Sequence, residues 1–180
     1  MTDRAILVID LQNDYFPDGK LPLVGIEDAA ANAARVIAAA RRRSDAVIHV
    51  RHEAIPADAP FFVAGSEGAE IYRSVLPLVD EPVVVKNYPN AFRETNLREL
   101  LVEQGTKELV IVGAMSHMCI DAATRAAADL GFRVTVVHDA CATRDLEFAD
   151  RKVPAADVHS AFMAALAAYA SLITTENWLG

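Results

Sequence analysis

Cysteine is scarce in this chain: 180 residues hold two, Cys119 and Cys141. They stand in no zinc-ligand spacing, and a chain of this length needs no disulfide staple. A reducing, cytoplasmic setting is the expectation. Positive charge is also in deficit, with 17 Lys plus Arg against 25 Asp plus Glu and a net charge of −8 at pH 7. Phosphate binding needs clustered cations that displace counterions, so nucleic acid is excluded as a partner. The one basic cluster, Arg41-Arg42-Arg43, falls where a helix should end and complements its dipole there. Apolar runs are short and interrupted, none near the ~20 residues that cross a bilayer, so no membrane is expected. The N-terminal residues enter a strand-like segment directly, with no signal-peptide hydrophobic region.

What is present is an apolar fraction of 53%, patterned as strands alternating with helices over residues 1–180, read as one domain. Ala5–Asp10, Ala46–Arg51, Val83–Lys86, Leu109–Gly113, Val134–His138 and Leu172–Thr174 read as strands. The first is a continuous β-prone run, as expected of a strand covered on both faces. Helices are expected at Glu27–Arg43, Thr95–Gln104 and Cys119–Leu130, and from an Asp157 cap to about Tyr169. Between His52 and Glu81 the signal is weak and rich in Pro and Gly. A loop of that length in a compact domain is expected to wall a pocket. Alternating strands and helices imply right-handed crossovers and a mostly parallel sheet covered on both faces.

Ligands of such sheets bind beyond the carboxyl ends of the strands. There the sequence places Asp10, Arg51-His52, Lys86, Cys119 just after Gly113, and His138-Asp139. Cys119 is the sharpest candidate. In the first turn of a helix, free N–H groups and the dipole favour an anion and should lower a thiol pKa from its usual ~8.5 toward neutrality. A nearby Lys86 would add to that effect. A thiolate beside free amides suits attack on a carbonyl, and Asp10 can take the thiol proton and return it to a leaving amine. Taken singly, each residue has a plainer reading: Cys119 as a core thiol, Asp10 as a turn cap, Lys86 as a solvated strand end. Their coincidence at one sheet edge favours catalysis. No G-x-G-x-x-G, no P-loop and no C-x-x-C is present. His49 and His52 do not make a convincing metal pair because His49 lies mid-strand, and His117, His138 and His159 read as scattered polar or core residues.

Three stretches in order sharpen this: Val8-Ile9-Asp10-Leu11-Gln12-Asn13-Asp14-Tyr15-Phe16; Lys86 with Asn90-Ala91-Phe92 and Thr95-x-Leu97; and Gly113-Ala114-Met115-Ser116-His117-Met118-Cys119-Ile120 through Gly131 to Asp139-Ala140. Over nearly its whole length the chain resembles the isochorismatase-like cysteine hydrolases, the superfamily that includes nicotinamidases and N-carbamoylsarcosine amidase. The resemblance implies a three-layer α-β-α, Rossmann-like fold with a six-stranded parallel sheet in the order 3-2-1-4-5-6. It also implies a triad of Asp10, Lys86 and Cys119, a cis peptide between Ala114 and Met115, and an oxyanion hole from the Met115 and Cys119 amides. A homo-oligomer is implied too, with the apolar segment Ala161–Ala170 as an interface element. Lys86 must span two strand spacings of ~4.8 Å to reach Asp10, and a lysine has that length.

Two departures narrow the function. Nicotinamidases carry an Asp-x-His pair after the second strand, where this chain reads Arg51-His52-Glu53-Ala54, so neither a metal nor nicotinamide hydrolysis is expected. Isochorismate cleavage needs no nucleophilic Cys, so the presence of Cys119 favours a metal-independent, cofactor-free cleavage of a C–N bond in a small amide, carbamoyl compound or lactam. Isochorismatase or nicotinamidase chemistry is the alternative within the family. A thiol redox or small-molecule-binding protein is the alternative outside it. Gln12, Tyr15, Phe16, His52, Phe61, Tyr88 and Phe92 are the candidate pocket residues.

Overall fold

A computed structural model describes residues 2–180, and Met1 lies outside the described residues. The strands are β1 (Arg4–Ile9), β2 (Ala46–His52), β3 (Val83–Lys86), β4 (Glu108–Ala114) and β5 (Arg133–Ala142), then a two-stranded antiparallel hairpin of β6 (Leu146–Phe148) and β7 (Arg151–Val153), and finally β8 (Ser171–Ile173). Six of them form one all-parallel sheet in the order β3-β2-β1-β4-β5-β8. This is the expected order, with the expected sixth strand displaced to eighth place by the hairpin. Helices α1 (Ile26–Arg43) and α5 (Thr175–Leu179) cover one face. Helices α2 (Leu97–Glu103), α3 (Asp121–Asp129) and α4 (Ala155–Leu166) cover the other. Among the described residues no helix is long and apolar enough to cross a membrane.

The two-residue period of a strand explains why one apolar run serves two cores. In β1, Ile6 and Val8 enter the α1 side with Val47, Val110 and Val112, while Ala5, Leu7 and Ile9 enter the other side with Ile48, Val50 and Ile111. Helix α1 answers with Ala29, Ala30, Ala33, Val36, Ile37 and Ala40 on one buried stripe, small enough to lie close to the sheet.

Several expectations are corrected at element ends. Arg41 and Arg43 do more than complement the α1 dipole. Arg41 makes a two-pronged pair with Glu81 at 2.8 and 2.7 Å, and Arg43 lies 4.6 Å from the Trp178 ring centroid. Helix α4 starts after Pro154 rather than at an Asp157 cap. Asp145, at the hairpin's base, takes the capping part by accepting the Ala155 N–H at 2.8 Å. Strand β5 runs four residues beyond its expected end at His138, to Ala142. The segment after β4 is first a π-helical turn, Ser116–Ile120, and only then α3. Cys119 therefore lies ahead of the α-helix, not in its first turn.

β1 and β4 approach so closely at their carboxyl ends that one position excludes a side chain. A Cβ on Gly113 would lie 1.9 Å from Ile9 O, and its φ of +128° is one that L side chains rarely adopt. Gly113→Ala should destabilise the fold by about 3 kcal/mol or more, combining overpacking with backbone strain. Urea unfolding followed by circular dichroism checks this; an unchanged midpoint would show that the two strands can separate at no cost.

Candidate active site

Each candidate group reaches the site from the end of a strand. Asp10 follows β1 directly with a φ of 51°, a left-handed conformation that Asp tolerates better than most residues. Its N–H bonds Val50 O at 3.0 Å, which ties the turn to β2. His52 and Lys86 are the last residues of β2 and β3 and stand opposite each other in register. Cys119 arrives on the π-helical turn after β4, and the peptide between Ala114 and Met115 at the head of that turn is cis.

These side chains meet around one ammonium. Lys86 Nζ lies 2.8 Å from Asp10 Oδ2, 2.8 Å from His52 Nδ1 and 3.3 Å from Cys119 Sγ. Two of the ammonium's N–H groups are bonded to His52 and Cys119, and its charge is paired with the Asp10 carboxylate. Lys86 and Asp10 are fully buried, and Cys119 is 5% exposed. Because Lys86 donates to His52 Nδ1, the neutral ring carries its proton on Nε2. Burial holds the His52 pKa below its ordinary value, Lys86 adds to this, and Asp10 opposes it. Burial also works against the charge on Lys86, but Asp10 and Cys119 more than compensate and raise its pKa.

The expected lowering of the Cys119 pKa is reversed. Burial pushes the thiol up, the Asp10 carboxylate pushes it further, and Lys86 only partly opposes them. The resting arrangement is thus a neutral thiol between a carboxylate and an ammonium. Cys141, the other thiol, is pushed up to about 12 by burial and bonds Val137 O inside β5. It has no part in this cluster.

Asp10, His52 and Cys119 each present a ligand atom within 4.8 Å of the other two, a donor set that suits a transition metal. Lys86 Nζ already lies within 2.8–3.3 Å of an atom of each of these three residues. A divalent ion among them would face an ammonium at bonding distance, so the residues fit the ammonium and do not fit a metal while Lys86 is charged.

The remaining candidates divide. Tyr15 faces the cluster. Burial raises its phenol pKa first, followed by the charges of Asp10 and Cys119. Its ring packs 4.6 Å from Phe62 and 6.3 Å from Phe61, and Phe62 in turn lies 5.8 Å from His52. Tyr88 follows Lys86 by two residues, with Arg93 stacked 3.6 Å over its ring. Three assignments are corrected. The Gln12 amide is used on backbone, donating to His52 O and Ala69 O at 2.8 and 2.7 Å and accepting from His52 N at 2.8 Å, so it fixes the site and does not receive a ligand. Phe16 stacks 3.4 Å from Tyr72 on an outer groove of about 830 Å³. Phe92 stacks with Phe132, the residue before β5, at a centroid distance of 6.4 Å. His117, read from the sequence as a scattered polar or core residue, has a defined partner here, and Arg144 escaped that reading. His117 bonds Thr143 Oγ1 at 2.6 Å, and the exposed Arg144 acts electrostatically on both Tyr15 and His117. Extending β5 through the apolar Ala140-Cys141-Ala142 would have pointed to Arg144.

An all-parallel α/β sheet that gathers a thiol, a carboxylate and an ammonium at its carboxyl edge defines an α/β protein with a buried polar centre. The family model for the isochorismatase domain matches residues 4–177, and the chain belongs to the isochorismatase family of hydrolases. It is 51% identical over 97% of its length, and 98% of the other's, to the uncharacterized isochorismatase family protein YddQ of Bacillus subtilis. A crystal structure of an isochorismatase hydrolase from Oleispira antarctica superposes with a TM-score of 0.95 at 52% identity, covering 98% of this chain and 95% of that one. More distant relatives have named reactions: a streptothricin hydrolase of Streptomyces noursei (35% identical, 79% of this chain and 51% of that one), Nicotinamidase 3 of Arabidopsis thaliana (32%, 77% and 73%) and a maleamate amidohydrolase of Pseudomonas putida (32%, 78% and 72%).

The electrostatics give a signed prediction. The Asp10 charge repels the thiolate, so Asp10→Asn should lower the pH midpoint of Cys119 alkylation and speed the resting thiol's reaction with iodoacetamide. Lys86→Met should move the midpoint upward. Peptide mapping of the alkylated cysteine checks both; identical midpoints in wild type and Asp10→Asn would overturn the charge assignment.

Proposed function

We propose that this protein hydrolyses a C–N bond in a small amide, carbamoyl compound or lactam through a thioester on Cys119. The supporting observation is the meeting of Asp10, Lys86 and Cys119 around the Lys86 ammonium at 2.8 and 3.3 Å. A buried thiolate made alone is costly. Proton transfer from Cys119 to Asp10 converts one charge-neutral trio (carboxylate, ammonium, thiol) into another (carboxylic acid, ammonium, thiolate). The net charge of the site is unchanged, so the high resting pKa of the thiol is not an obstacle to forming the nucleophile.

The sulfur then attacks the carbonyl carbon, and the Met115 and Cys119 amides hold the oxyanion. Asp10 returns its proton to the departing nitrogen, the C–N bond breaks and an amine or ammonia leaves. Asp10, again a carboxylate, takes a proton from water as the water oxygen attacks the thioester. The C–S bond breaks, the acid is released and Cys119 recovers its proton. Lys86, bonded to His52 and Cys119 and paired with Asp10, keeps the thiolate and carboxylate in place and does not reach the substrate. Relatives in this family that cleave amides give the reading its class, and Tyr15, Phe61, His52 and the rim cation Arg144 are the groups left to contact the substrate.

A panel of small amides, carbamoyl compounds and lactams assayed for ammonia or amine release should include a turned-over compound. Cys119→Ala and Asp10→Asn should each lose at least about 10³-fold in kcat/KM on it. Quenched-flow intact mass should catch an acyl adduct on Cys119. Turnover retained by Cys119→Ser, or stoichiometric zinc, iron or manganese in freshly purified protein, would overturn the reading.

A further inference from the structure

Ser116 is fully buried and opens the turn that carries Cys119, immediately after Met115. Its hydroxyl lies 3.2 Å from Ala142 O, to which it donates, and 2.8 Å from Nδ1 of His159, a half-buried residue of α4. A buried hydroxyl has one proton and needs its partners arranged accordingly. If that proton goes to Ala142 O, then His159 must donate Nδ1–H to Ser116 Oγ. The alternative tautomer turns the Ser116 proton toward His159 and deprives Ala142 O. Both contacts are satisfied only by the directed chain His159 Nδ1–H to Ser116 Oγ–H to Ala142 O.

The far end of this chain exists because β5 is bulged. Opposite the two steps from Ile111 to Gly113 on β4, β5 takes five, from Val136 to Cys141. The bulge carries the end of β5 over to the turn, where Thr143 also bonds His117 at 2.6 Å. The turn that presents Cys119 is thus attached at two successive residues, Ala142 at the end of β5 and Thr143 just after it, and through Ser116 to α4. The His159 ring faces His138 at a centroid distance of 6.4 Å. Burial, and then His138, hold its pKa below the ordinary value, so it is a neutral ring whose tautomer is set by these bonds.

We infer that Ser116 and His159 are positioning residues for the Met115 and Cys119 amides, holding the turn so that both N–H groups converge on a developing oxyanion. This rests on the hydrolytic reading above. Neither residue touches the sulfur, so their loss should affect oxyanion binding and leave the thiol's own reactivity nearly intact.

Acetaldehyde separates these effects. The Cys119 sulfur adds to its carbonyl carbon, the C=O π pair becomes the oxyanion, and the thiol proton neutralises it, giving a reversible thiohemiacetal. Its affinity is read from protection of Cys119 against iodoacetamide, while the unprotected alkylation rate reports the thiol alone. Ser116→Ala and His159→Leu should weaken acetaldehyde binding about 10–100-fold with alkylation changed less than about twofold. His159→Asn, whose side-chain amide can occupy the Nδ1 position and donate, should restore binding to within about threefold. A wild-type protein that acetaldehyde does not protect would overturn the thioester reading itself. Protection that is unchanged in Ser116→Ala and His159→Leu, or a His159→Asn variant no better than His159→Leu, would overturn the positioning role alone. Equal losses of protection and alkylation would show a collapsed site and also overturn it.

Discussion

Everything at the carboxyl edge of the sheet depends on burying one ammonium. A lysine with no exposed surface is tolerated only if its charge and all its donors are met. Here the partners arrive from three separate elements: a carboxylate after β1, an imidazole at the end of β2 and a thiol after β4. The strand order makes this possible. β3 lies two places from β1, and a straight four-carbon stem crosses the intervening β2 at its last residue, which is itself one of the partners. A shorter cation would not span the gap, and a guanidinium would present a flat fork to three acceptors arranged around a point.

The same arrangement divides the labour of the site. Asp10, His52 and Cys119 are held against Lys86 and not against one another, and both buried Asp10 oxygens stay without a hydrogen-bond partner. On the proposed reading, discrimination falls to Tyr15 with its Phe61–Phe62 backing, to His52 and to the segment after β5 that carries Arg144. Relatives that act on streptothricin, nicotinamide and maleamate share this family, which accords with a fixed centre and a variable surround.

What the sequence revealed followed how each feature is encoded. Buried parallel strands are continuous apolar runs, so β1 to β4 were legible nearly to the residue, and the meeting of Asp10, Lys86 and Cys119 followed from where those runs stop. The β6–β7 hairpin was missed because Leu146-Glu-Phe and Arg151-Lys-Val are three residues each and mostly charged or exposed. The extension of β5 was missed because Asp139 breaks the run; its carboxylate is in fact occupied with the N–H and hydroxyl of Thr175 at the start of α5. The direction of the Cys119 pKa could not be read from a helix-terminus rule, because the rule concerns an exposed thiol and this one is buried beside a carboxylate. Gln12, Phe16 and Phe92 were the right kinds of residue for a pocket. Only three-dimensional partners show that Gln12 spends its amide on backbone and that the two rings stack elsewhere.

That use of Gln12 has a consequence for redesign. One amide grips His52 at one end of the 53–68 segment and Ala69 at the other, so the intervening residues form a loop closed at its base. The loop is pinned further inside by Phe62 N–H on Asp14 at 2.7 Å and by Asn13 Nδ2 on Glu67 O at 2.8 Å. Any replacement of the segment therefore has to reproduce a two-point base and these inner bonds, and a change at Phe62 is transmitted to His52, 5.8 Å away.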